Sequence, residues 1–293
     1  MSDDPMALPA EAQLKNDQAA QVFREVLAFT DVPSDGLSIA TLPNLRDVGG
    51  WATSSGQSVR RGVLYRSVAP DRLDEPGLSA FSALGIRTVF DLRTAGERAA
   101  APDRVPDGTA VVTLDVLADE TTSVPAYLAE LVSEPATIRE HLGKGRAEAL
   151  FTSAYRSFVT LPSALSSYRA LYSRLAVDDS RPALFHCTTG KDRTGWAAAA
   201  LLTWLGVSEA DVMTDYLRTN ELLRPTLQPI FDRFADAGGD TDILDAILGV
   251  RQAYIESAFD EMHSRYGSVE RYFDEGLALA EDVQLALRTG LLD

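Results

Sequence analysis

His186-Cys187-Thr188-Thr189-Gly190-Lys191-Asp192-Arg193-Thr194-Gly195 follows directly on the apolar run Ala183-Leu184-Phe185 and leads into the alanine-rich stretch WAAAALLTWL at 196–205. The implied order is strand, tight loop, helix. A short loop that wraps back on itself points successive backbone N–H groups inward. The unsatisfied amides and dipole of the following helix add positive potential at its first turn. Residues 188–193 therefore read as a cradle for a compact oxyanion, with Thr188, Thr189, Gly190 and Lys191 lining it. Arg193 closes the ring with a planar fork that matches two oxygens of a tetrahedral anion.

Cys187 is the single cysteine of the chain. At the floor of such a cradle it feels both the helix terminus and the guanidinium, and both favour thiolate over thiol. A free cysteine titrates at about 8.5, whereas electropositive settings bring it to roughly 3.5–7.5. The thiolate then attacks phosphorus in line, forms a phosphocysteine, and is released by water in a second step. Thr194 is placed to hydrogen-bond the sulfur as it leaves, and His186 to orient the loop. A buried cysteine with only a packing role is the alternative. It leaves the arginine six positions on, the two glycines and the helix start unexplained.

These residues resemble the cysteine-dependent protein tyrosine phosphatase superfamily, and the form HCxxGKDRTG resembles its bacterial PtpB-like branch. LPNLRDVGG at 42–50, RRGVLYRS at 60–67, LGIRTVFDLRTAGER at 84–98, DYLRTN at 215–220 and RYGSVERYF at 265–273 extend the similarity over most of the chain. The resemblance implies a phosphoric monoester hydrolase acting on phosphotyrosine and also on phosphoserine and phosphothreonine, with inorganic phosphate as product and no metal or cofactor. None of Trp51, Trp196 and Trp204 is followed by Pro-Asp, so the mobile Trp-Pro-Asp loop of many relatives is missing. Another proton donor is needed. Asp192, inside the cradle, is the first candidate by resemblance. Asp91, at the end of the run Thr88-Val89-Phe90, is the second, and a helix-capping role at Thr94 is its competing explanation. A lysine at the position of Lys191 occurs in lipid phosphatases of the superfamily, which implies phosphoinositide head groups as alternative substrates. A pseudophosphatase that only binds phosphate is the alternative of a different class. Arg66 and Arg93 are expected to pair with surplus carboxylates, with assistance to the site as the alternative.

Outward from the motif, 293 residues with 45% hydrophobic content suffice for a sizeable core. The formal net charge of −16 argues against nucleic acid as a partner and against an anionic membrane surface. The acidic, polar N-terminus reads as neither a secretory signal nor a membrane span, so the cytoplasm is the expected location, with signal-independent export as the alternative. His141, His186 and His263 suggest no metal cluster by their spacing.

The fold class expected is α/β: a central, mostly parallel sheet flanked by helices, with an additional helical lid. Residues 1–16 are expected to be mobile, with a short helix around Ala19–Phe29, and 17–293 to form one phosphatase domain. Strands are expected at Ile86–Asp91, Ala110–Val116 and Ala183–His186, with a hairpin between Leu37 and Ser67. Gly206 should end the helix after the cradle, and Ser208 with Asp211 should form a capping box for the next one. Gly143–Arg146 reads as a turn between helices. Ile247, Tyr254, Ala258 and Met262 share one helical face, and by resemblance the lid lies within 207–266.

Overall fold

Ala183–His186 becomes β5, the middle strand of a five-stranded sheet in the order β1-β2-β5-β3-β4. The protein is seen here in a computed structural model that describes residues 37–120 and 135–293. The expectations for residues 1–16 and Ala19–Phe29 lie outside the described residues. Every residue of β5 is buried, which is why its sequence is apolar rather than alternating. It pairs in parallel with β2 (Leu64–Ser67) and with β3 (Thr88–Asp91). β3 in turn pairs in parallel with β4 (Ala110–Thr113), and the short β1 (Arg46–Asp47) runs antiparallel to β2. Ser67, His186, Asp91 and Thr113 share one register level at the carboxyl end of the four parallel strands. This is the edge at which open α/β sheets bind ligands.

Two strand ends differ from the expected ones. β3 begins at Thr88 rather than Ile86. β4 stops at Thr113 rather than Val116, because the Asp115 carboxylate takes the Leu117 and Ala95 N–H groups and turns the chain. The hairpin forms at Ala52–Ser58, closed by Thr53 N–H to the Gln57 carbonyl.

The first helices are α1 (Glu75–Ala83), capped by the Asp74 carboxylate on Gly77 N–H, and α2 (Ala95–Ala100). α3 (Pro135–Leu142) and α4 (Arg146–Thr160) are separated by the turn at Gly143–Gly145, with Lys144 and Gly145 at positive φ. α5 (Pro162–Leu175) returns the chain to β5. α6 (Arg193–Leu205) leaves the cradle and is buried nearly throughout. It ends where Gly206 adopts φ +93° and Val207 N–H reaches back to the Leu202 carbonyl.

α7 (Glu209–Asp236), α8 (Thr241–Leu248) and α9 (Gln252–Tyr266) follow, then α10 (Val269–Arg271) with a π turn at Tyr272–Gly276, and α11 (Glu281–Leu291). The box expected at Ser208 is half formed. Ser208 Oγ caps Asp211 N–H, but the Asp211 carboxylate accepts the Ser208 hydroxyl instead of the backbone N–H. α6 lies on β5 and is packed by α4, α7, α9 and α10. α4 and α9 run along each other, with Phe151 stacked on Tyr254 at 5.2 Å between ring centroids. Tyr254, Ala258 and Met262 share one buried face of α9, but Ile247, expected on the same helical face, belongs to α8, because the helix stops at Gly249 and a new one starts only at Gln252; all four side chains are buried.

Candidate active site

The loop from Cys187 to Arg193 joins the carboxyl end of β5 to the first turn of α6, and its carbonyls are pulled outward one by one. The Thr188 carbonyl accepts from Ala69 N–H. Asn44 Nδ2 donates to the carbonyls of both Thr189 and Gly190, each at 3.1 Å, and Arg66 Nη2 donates to Gly190 at 2.9 Å. Gly190 sits at φ +64°, and a Cβ there would lie 2.0 Å from the Ser67 carbonyl oxygen, so only glycine fits. With the carbonyls committed outside, no backbone N–H from Thr188 to Asp192 is spent on a protein acceptor among the described residues. The peptide units are thus held turned over by donors from Asn44 before β1, Arg66 of β2 and Ala69 just after β2.

Asn44 and Arg66 are themselves fixed by a buried ion network. Asp215, in α7, accepts from Arg46 Nε at 2.9 Å and from Arg66 Nη1 at 2.8 Å. Arg46 also holds Asn44 through its carbonyl and side-chain oxygen, and it reaches Thr219 Oγ1 at 3.0 Å. Burial raises the Asp215 carboxyl, but the two guanidiniums outweigh it and hold the group below its ordinary value. Burial and the neighbouring Arg66 bring Arg46 down to about 10. Arg66 thus does two things. It pairs with a carboxylate, the favoured expectation, and it also bonds the loop carbonyl of Gly190, in line with the alternative of assisting the site.

Cys187 is buried, 1% exposed. Burial alone pushes its thiol up. The Arg193 guanidinium, the hydroxyl and the backbone N–H of Thr194 more than offset this against the opposing charge of Asp192, and the thiol lies below its ordinary value. The Thr194 hydroxyl is buried with no hydrogen-bond partner among the described residues, and the same side chain is among the groups that favour the Cys187 thiolate.

Arg193 is gripped from behind. Its Nη1 and Nη2 each donate at 2.7 Å to one oxygen of Glu97, and Nη1 also reaches the Leu92 carbonyl at 3.3 Å. The Nε–Nη2 edge is what remains for two oxygens of an anion. Glu97 also accepts from Thr188 Oγ1 and closes a capping box with Thr94 at the start of α2. Burial raises its carboxyl, yet the charge and hydrogen bonds of Arg193 hold it far below the usual range. Reading the sequence alone missed Glu97. The Thr94-x-x-Glu97 spacing was the available signal, and it marks a helix start rather than an arginine partner.

Asp91 does not cap that helix, because its Oδ1 is already taken by the backbone N–H and Nε of Arg93, at 2.9 Å each. Arg93 Nη2 then bridges Asp91 and Asp103, so the chain supplies within this group of carboxylates the positive charge a cation would bring. His186 approaches Asp103 through Nε2 at 3.1 Å and the Cys187 carbonyl through Nδ1 at 3.0 Å. Both partners can accept, so this setting favours a proton on each ring nitrogen. Burial lowers the His186 pKa, but Asp103 and Asp91 outweigh this and raise it. Burial likewise raises the Asp91 carboxyl, and His186 and Arg93 bring it below its ordinary value.

Asp192 begins α6 without capping it. Its Oδ1 accepts from Lys191 Nζ at 2.9 Å and from the Tyr155 hydroxyl at 3.0 Å. Lys191 is buried. Its ammonium also donates to the Gly249 carbonyl at 3.2 Å, between α8 and α9, and lies 4.4 Å from the centre of the Phe151 ring. The structure thus places Cys187 to Thr194 in one continuous loop and helix start at the carboxyl end of β5, with His186 as the last residue of that strand and Asp91 beside it at the end of β3.

A family profile described as the tyrosine phosphatase family matches residues 37–293. A Cupriavidus necator protein assigned by name to the tyrosine-protein phosphatases is 31% identical over 82% of this chain and 84% of its own length. The triple specificity protein phosphatase PtpB of Mycobacterium tuberculosis is 31% identical over 83% of this chain and 96% of that protein. A tyrosine-protein phosphatase of Nostoc commune is 26% identical over 78% and 74%. The profile covers every residue from 37 to the end and two relatives match at 31% over most of both chains, so this chain belongs to the tyrosine phosphatase family and is a phosphatase.

Proposed function

We propose that the chain hydrolyses phosphotyrosine, and with it phosphoserine and phosphothreonine, in phosphorylated proteins, by the two steps that the cradle suits. The Cys187 thiolate attacks phosphorus, forming an S–P bond as the P–O bond to the substrate breaks. The departing oxygen takes its proton from Asp192. Water then attacks the phosphocysteine, gives a proton back to Asp192, and the S–P bond breaks with the sulfur received by the Thr194 hydroxyl. Arg193 and the inward amides hold the equatorial oxygens throughout, where charge builds in the transition state. The observation that supports this reading is that one loop carries a thiol held below its ordinary value by Arg193 and Thr194, backbone amides uncommitted among the described residues, and an Arg193 whose Nε–Nη2 edge is left open by Glu97.

Asp192 is our donor because it borders the cradle and only one of its oxygens is bonded among the described residues, whereas Asp91 is buried and locked as a carboxylate by Arg93. The turn at Gly249 resting on Lys191 supports the lid reading for α8 and α9. Nothing in the placement of Lys191 favours a phosphoinositide over a phosphoprotein, since its ammonium already has three partners of the chain itself. Among the described residues no helix is long and apolar enough to cross a membrane, and a cytoplasmic setting suits the lone thiolate.

The test is turnover of para-nitrophenyl phosphate in chelator. Cys187→Ser should abolish it, a loss on the order of 10⁴–10⁶, and acid-quenched wild type should carry one phosphoryl group on Cys187. Phosphate binding without turnover in the wild type would identify a recognition module instead.

A further inference from the structure

We infer that Tyr155 is a positioning residue for Asp192, and that it decides which carboxylate oxygen carries the transferred proton. The inference rests on the reading of Asp192 as proton donor. Tyr155 is completely buried on α4, and its hydroxyl donates to Asp192 Oδ1 at 3.0 Å. Its own lone pair is filled by the hydroxyl of Tyr216, on α7, at 2.7 Å. The chain of bonds therefore has one direction, from Tyr216 to Tyr155 to Asp192, because an ionised carboxylate only accepts. Lys191 Nζ donates to the same Oδ1. With two donors on Oδ1, a proton on Asp192 resides on Oδ2, the oxygen to which the chain gives no donor among the described residues.

The two tyrosines are fit for this service. Burial first, then the nearby Asp192 carboxylate, push both hydroxyls well above their ordinary pKa, so they remain neutral donors across the working range. Aromatic packing fixes the geometry: the Tyr155 ring lies 5.1 Å from Phe158, 5.9 Å from Tyr254 and 6.2 Å from Tyr216, centre to centre. The charged and titratable groups facing Asp192 are Lys191, Arg193 and Cys187 of its own loop, Tyr155 of α4, Tyr216 of α7 and Tyr254 of α9. Of these, Tyr155 and Lys191 are the two that bond the carboxylate.

A proton donor matters most when the leaving oxygen is basic, which gives the test. Tyr155→Phe keeps the ring and removes the hydroxyl. We expect kcat on an alkyl phosphate to fall by about tenfold and on para-nitrophenyl phosphate by less than about threefold. The alkaline limb of the rate profile should move to higher pH, because losing a donor disfavours the ionised carboxyl. Tyr216→Phe leaves the Tyr155 hydroxyl in place and should act in the same direction by about threefold or less. In an Asp192→Asn background, Tyr155→Phe should cost nothing further on the alkyl substrate.

Equal losses on both substrates, an unmoved alkaline limb, or the same loss in the Asp192→Asn background would each overturn the inference. If Asp192→Asn leaves the leaving-group dependence unchanged, the donor assignment itself falls and the inference with it. If Asp192→Asn steepens that dependence and Tyr155→Phe does not, only the inference falls.

Discussion

On one flank of the cradle Glu97 grips Arg193 and Thr188, and on the other Tyr155 and Lys191 meet on Asp192. The two carboxylates are held in opposite ways. Both oxygens of Glu97 are bonded, Oε1 to Arg193 and Thr188 and Oε2 to Arg193 and Thr94. A carboxylate so bonded is an anchor, and its protonation is suppressed. Asp192 has its donors gathered on Oδ1 alone. A carboxylate bonded on one side is oriented but still free to exchange a proton on the other. Position beside the anion does not separate these roles, but the distribution of donors over the two oxygens does.

The comparison breaks most visibly at Glu97. Glu97→Ala leaves a buried guanidinium without its partner and the clamp unaimed, so kcat/KM should fall by about 10²–10³ on every phosphate ester. Vanadate affinity should fall with it. Unchanged vanadate affinity would remove Glu97 from the anchoring role. Lys191→Ala tests the other flank. If Lys191 serves Asp192 and Gly249, the loss should be about tenfold and alike on an alkyl phosphate and on a polyphosphorylated inositol of similar leaving group. A loss confined to the inositol substrate would give Lys191 a second phosphate instead.

The smallest effect concerns the layer behind the cradle. The folded-state pKa of His186 is raised, so its contribution to stability is fully present below about pH 6.5 and is lost as pH rises through the folded value. In a Cys187→Ser background, which removes the opposing titration of the thiol, Tm should fall between pH 6 and pH 9. Asp103→Asn should flatten that slope, and an equal slope in both proteins would take His186 out of the account.

What was legible in the sequence was local. Strand, loop and helix around Cys187, the stop at Gly206 and the turn at Gly143–Gly145 all follow from residues within a few positions of one another. The devices that make the cradle work span longer separations. Arg46 meets Asp215 across 169 positions, Asn44 meets Gly190 across 146, and Tyr155 meets Asp192 across 37. Periodicity places Tyr155 on the buried face of a helix, but it says nothing of which buried face lies opposite. Arg66 shows the same limit. A surplus of carboxylates correctly predicted a partner, and only the crossing of β2 beneath the loop brings its second nitrogen to the Gly190 carbonyl.

The cations around Cys187 are all engaged with the chain's own acids: Arg46 and Arg66 with Asp215, Arg93 with Asp91 and Asp103, Arg193 with Glu97, Lys191 with Asp192. A visitor therefore meets little loose positive charge there and many fixed dipoles. We expect such a site to discriminate by outline, preferring a tetrahedral anion over flat ones such as nitrate or a carboxylate. Ionic strength should then govern how fast an acidic substrate approaches this strongly anionic surface far more than how firmly the seated group is kept.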